Sequence, residues 1–77
     1  MFVFPMECYP DADGEPSVVM IVVARSETDA VDLAFDHPNA ANYAAVKVSR
    51  KRKKPKSAPG LDRGIHGFVN WQAFLAM

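Results

Sequence analysis

The sequence predicts an α+β fold, a small and mainly antiparallel sheet with one helix packed across it. Three observations carry this expectation. Residues 2–9, FVFPMECY, alternate with a period of two, residues 17–24, SVVMIVVA, are apolar throughout, and the stretch opening at Ser26 switches to helical spacing. The element order that follows is ββαββ, with a short C-terminal helix as an addition. The 77 residues are expected to form one domain, 1–77, carrying a basic loop at 50–60. A chain of this size buries only about 60% of its unfolded surface, so its core is marginal and a partner or a second copy of the chain would stabilise it.

In the first strand Phe2, Phe4, Met6 and Cys8 share one face, and Val3, Pro5, Glu7 and Tyr9 the other. Pro5 has no N–H to give a ladder, which predicts an edge strand open to strand addition. PDADGEP, residues 10–16, reads as a turn in which Asp13-Gly14 supplies positive φ. Its acids lack the spacing of a calcium loop. Residues 17–24 lack alternation and are placed centrally, covered on both faces.

Ser26 is positioned to cap the helix, and Glu27 and Asp29 suit its positive end. Ala30, Val31, Leu33, Ala34 and Phe35 form the apolar face; Asp29, Asp32 and Asp36 face water. His37-Pro38 ends the helix. In residues 43–50, YAAVKVSR, Ala44, Val46 and Val48 point inward while Lys47 and Ser49 point outward. Residues 65–69 read as a fourth strand paired with the third, which makes the basic run a hairpin connection. Asn70 is placed to cap a last helix, Trp71 to Met77, with Trp71, Phe74 and Leu75 at i, i+3 and i+4; Phe74, Leu75 and Met77 offer an apolar end to a partner.

Composition excludes several classes. The longest apolar run, Val18 to Ala24, is seven residues, against the about 20 of a membrane helix. MFVFPMECYP lacks the basic start of a signal peptide, and Cys8 has no second cysteine to pair with. These features suit a soluble cytoplasmic protein without membrane contact. No enzyme is expected and no cofactor. Cys8 lies among acids, which raise a thiol pKa; one Cys and two His cannot build a thiolate-rich zinc site; Gly60, Gly64 and Gly67 lack the strand and helix that frame a phosphate loop.

Charge is strongly polarised beneath a neutral total. Residues 1–36 carry eight acids and one base, a net of −7, and residues 47–63 carry eight bases and one acid, a net of +7. Six of the seven residues from Arg50 to Lys56 are basic. Arg50, Lys51, Arg52, Lys53, Lys54 and Lys56 are therefore the candidate contacts to nucleic acid or a nucleoprotein complex, acting by charge and without a sequence code. The opposing reading is that the acidic helix neutralises the basic segment within the fold.

RGIHGFVNW, residues 63–71, partly resembles the RNP1 strand of RNA-recognition motifs. Gly67-Phe68-Val69-Asn70 and aromatic Trp71 match its second half and Arg63-Gly64 its start, with one extra residue between. In that family the strand is central and is followed by a helix and another strand, whereas six residues follow Trp71 here. The resemblance implies that Phe68 and Trp71 stack bases; the plainer reading makes both core or interface aromatics. A second functional class is a protein-binding inhibitor or adaptor, of the kind by which small phage proteins disable nucleic-acid-handling defence complexes. It would act through Asp29, Asp32 and Asp36 of the helix or through an exposed strand edge.

Overall fold

A computed structural model describes residues 1–51 and 55–77. The class is α+β: an antiparallel sheet of five strands, one main helix on it and a short C-terminal helix. The strands are β1 (Phe2–Tyr9), β2 (Val18–Ala24), β3 (Ala45–Val48), β4 (Lys56–Ser57) and β5 (Gly64–Asn70), and the helices α1 (Glu27–Asp36) and α2 (Trp71–Leu75). A 3-10 turn, Pro38–Asn42, follows α1.

The sheet order is β3-β1-β2-β5, with β4 also pairing β1. This corrects two expectations. β1 is an inner strand, and β5 pairs with β2 at the far edge instead of with β3. Pro5 tolerates its inner place because of where its missing donor falls. Its carbonyl accepts from the Ser49 amide at 2.8 Å, so its nitrogen also points toward the β3 side. The regular ladder stops there, since β3 ends at Val48.

β3 and β4 lie along the same edge of β1. Met6 pairs with Val48 and Val3 with Lys56, so three steps along β1 correspond to eight along the partner chain, an excess of five residues. The two short strands thus act as one strand interrupted at the basic run. The chain then rounds the end of the sheet, from Ser57 opposite Phe2 to Gly64 opposite Val23.

Alternation in β1 gives the main core. Phe4, Met6 and Cys8 meet Met20, Val22 and Ala24 of β2, Val46 of β3, and Ala30 and Ala34 of α1. Val19 and Val23 point to the opposite face by the period of two and are also fully buried, so β2 is covered on both faces as its sequence implied. Small Ala30 and Ala34 bring α1 close to the sheet. Ser26 caps the helix, its Oγ accepting from the Asp29 amide at 3.1 Å. His37 ends it with extended backbone, φ −72° and ψ 135°.

Several side chains differ from the pattern. Asp29 is largely shielded instead of facing water, and Phe74 is buried instead of being open to a partner. Phe35 is 58% exposed, because the sheet has room beneath α1 only for the alanine stripe and its immediate flanks. Ser49 is buried instead of facing out, and Ala44 is exposed. The β1–β2 turn is held by Gly14 N–H donating to the Asp11 carbonyl at 3.2 Å, without positive φ at Gly14.

Met20 is the largest fully buried side chain of β2. Met20→Ala is expected to cost about 2–5 kcal/mol. That is a large part of the roughly 4–12 kcal/mol available to a domain of this length, so Tm should fall by tens of degrees. Phe35→Ser should change stability by less than about 0.5 kcal/mol, since its ring already meets water. Thermal unfolding followed by circular dichroism separates the two.

Candidate functional site

The helix carries its charge on two flanks. Glu27, Val31 and Phe35 stand at i, i+4 and i+8; Asp29, Asp32 and Asp36 at i, i+3 and i+7 on the other side. Each flank is met by an arginine from the basic half. Arg50, just after β3, donates from Nη1 and Nη2 to both carboxylate oxygens of Glu27 at 3.1 and 2.7 Å. Arg63, just before β5, donates from Nε to Asp29 Oδ2 at 2.9 Å and from Nη2 to Oδ1. The Arg25 amide also donates to Asp29 at 3.0 Å. The two arginines hold α1 from opposite sides of the sheet.

The pairs differ in weight. Arg50 and Glu27 are 75% and 48% exposed, so water and salt screen them. The Asp29 side chain is only 18% exposed. Its hydrogen bonds from Arg63, then that from the Arg25 amide, hold its carboxyl down at about 2. Arg63 is raised in turn by Asp29, with Asp32 and Asp36 adding to the field.

The expected nucleic-acid contacts therefore divide. Arg50 is exposed but clasped to Glu27. Lys51, exposed, and Lys56, exposed in β4, have no ion-pair partner among the described residues. Arg52, Lys53 and Lys54 lie outside the described residues. Lys47, across from Glu7 in the ladder, sits 5.2 Å above the Tyr9 ring. Tyr9 donates its hydroxyl to Glu7 at 2.6 Å, which pushes its pKa up to about 12.

Phe68 and Trp71 do not join this surface. β5 is three strand spacings from the β3–β4 edge, roughly 14 Å. Phe68, 38% exposed, lies on the α1 face, since it pairs with Met20, and its ring meets His37 edge-on at 5.3 Å. Trp71 is half-buried and stacks on buried Phe74 at 5.9 Å. β5 is also an edge strand, unlike the central strand that the RNP1 resemblance implied. No known family model, curated protein or solved structure matches the chain.

Asp29 and Asp32 plus Asp36 were legible as one helix face, but the arginine that engages Asp29 was not, because Arg63 is remote in sequence. Cys8 is buried in β1, where loss of water pushes its thiol pKa up. Its sulfhydryl is directed at the Met6 carbonyl, 3.6 Å away. Among the described residues no three His, Cys, Asp or Glu side chains gather closely enough to hold a metal ion. No described helix is long and apolar enough to cross a membrane.

The Asp29 clasp predicts an acid response. Its folded pKa of about 2 lies below the unfolded carboxylate value of about 3.9. As pH falls the unfolded chain takes the proton first, so the stabilisation is complete above about pH 4 and is lost progressively toward about pH 2. Asp29→Asn should flatten the fall of Tm across that window at low salt, whereas Glu27→Gln should change it less. Thermal melts at stepped pH measure both.

Proposed function

We propose that the protein is a non-catalytic binding module that contacts nucleic acid or a nucleoprotein complex through the basic run Arg50–Lys56, by charge and without reading sequence. The observation that supports this most is the interruption of the strand on β1. Five of the six bases, residues 50–54, fall in sequence between two points paired to β1, Val48 opposite Met6 and Lys56 opposite Val3, and the sixth base is Lys56 itself. A point of attachment at each end limits the entropy lost when such a segment meets a polyanion.

The acids of α1 account for only part of the basic half. Glu27 takes Arg50 and Asp29 takes Arg63, which leaves Lys51 and Lys56 beside three further bases in sequence. The residues of the run outside the described set are themselves basic and supply no counter-charge. Lys51 and Lys56 are well placed for phosphate oxygens. Separation of Phe68 and Trp71 from this edge argues for backbone contacts in place of base stacking. Glu27 competes with phosphate for Arg50, so Arg50 is expected to contribute less than the lysines.

Fluorescence anisotropy of short labelled DNA and RNA duplexes, titrated at several salt concentrations, tests this reading. Affinity should fall steeply with salt, by about 0.9 log units per phosphate contact for each tenfold rise in salt for duplex DNA. Lys51→Gln with Lys56→Gln should reduce the slope by about two such contacts, and Asp32→Asn should not weaken binding. Absence of binding at low salt would refute the proposal.

A further inference from the structure

The two edges of the sheet are guarded unequally. The β3–β4 edge carries Lys47, Lys56 and the interruption, all of which oppose pairing with another strand. β5, GIHGFVN, has no charged residue and no proline, and among the described residues it pairs only with β2. Its irregularity is confined to the first half, where the register shifts opposite Ile21 and Val22 and Gly67 takes φ 137°.

The ladder fixes which β5 backbone groups face out. Ser49 N–H meets the Pro5 carbonyl, so Pro5, Glu7 and Tyr9 direct their backbone groups to β3, and Phe4, Met6 and Cys8 theirs to β2. Met20 and Val18 therefore bond β1, while Val19 and Ile21 bond β5 through Val69 and Gly67. The bond from Trp71 N–H to the Ser17 carbonyl, 3.0 Å, keeps the same alternation. Phe68 N–H and C=O and Asn70 N–H consequently point away from the sheet.

The acidic flank of α1 runs beside this edge. Its N-terminal end is fixed next to β5 by Asp29 and Arg63, and its C-terminal end by His37 against the Phe68 ring. Asp32 and Asp36 are exposed between those points, and neither has a salt bridge among the described residues. We infer that the outer edge of β5 accepts an extended, lysine- or arginine-bearing segment of a partner protein as an added antiparallel or parallel strand. Its main chain pairs with Phe68 and Asn70, and its basic side chains on the helix face meet Asp32 and Asp36. A second copy of this chain is a poorer occupant. Symmetric pairing of two β5 edges would set two acidic flanks on one face of the joined sheet and oppose like charges.

Anisotropy of a labelled peptide of about ten residues, alternating lysine and valine, tests the inference with the intact protein. The expected result is binding that weakens about tenfold or more in the Asp32→Asn, Asp36→Asn double variant and is lost when alternate peptide nitrogens are methylated. Amide resonances of Phe68 and Asn70 should shift on titration. Equal binding of a glutamate–valine peptide overturns the inference, as does an unchanged affinity in the double variant or with the methylated peptide. Resonance shifts confined to Lys51 and Lys56, no binding at all, or a β5–β5 dimer that excludes the peptide overturn it equally.

Discussion

Every other part of the fold is arranged around β1, whose backbone is hydrogen-bonded on both sides. One side holds β2 over seven residue pairs, and the other holds β3 and β4 in succession. A proline is ordinarily costly in such a position because it removes a ladder donor. Here the missing donor faces the point where β3 has ended. The interruption of that edge and the proline in the inner strand are therefore compatible, and the basic run emerges beside the one place where β1 has least to offer a neighbour.

The buried layer under α1 depends on the same strand. Phe4, Met6 and Cys8 supply one wall, β2 another, and the helix closes it with two alanines. With so small a core, ion pairs at the helix flanks help set the orientation of α1 on the sheet. Arg50 and Arg63 reach it from opposite edges, and the better shielded Asp29 pair has the greater electrostatic effect. The charge asymmetry of the sequence thus serves two ends. Part of it closes the fold; of the remainder, Lys51 and Lys56 stand exposed on the β3–β4 side, Asp32 and Asp36 on α1, and Asp11, Asp13 and Glu15 in the β1–β2 turn.

This division gives the two edges opposite characters. Lysines and the strand interruption oppose strand addition at one edge and leave Lys51 and Lys56 exposed there. The other edge keeps its backbone groups open along a chain without charge, overlooked by Asp32 and Asp36. Phe68 and Trp71 belong to the second region, one against His37 and the other on Phe74. They lie on the far side of the sheet from Lys56 of β4, because the chain rounds the end of the sheet between β4 and β5.

Local chemistry was legible in the residues themselves. Period-two alternation set the inward face of β1, uniform apolarity marked β2 as inner, and Ser26, His37-Pro38 and Asn70 marked the helix ends through side-chain capping and backbone restriction. The acidic helix face and the basic run were likewise visible, since both are contiguous or helically spaced. Strand neighbours were decided only by tertiary structure. Pro5 favoured an edge by propensity, yet its consequence depended on which side its nitrogen faced. Whether residues 64–70 paired with β3 or with β2 could not be read from their own pattern, because an apolar strand suits either neighbour. That choice in turn separated Phe68 from the lysines and brought Arg63 to Asp29. Pairing over long sequence separation is set by the shared core and by backbone hydrogen bonding across the whole sheet, and no short stretch of sequence contains it.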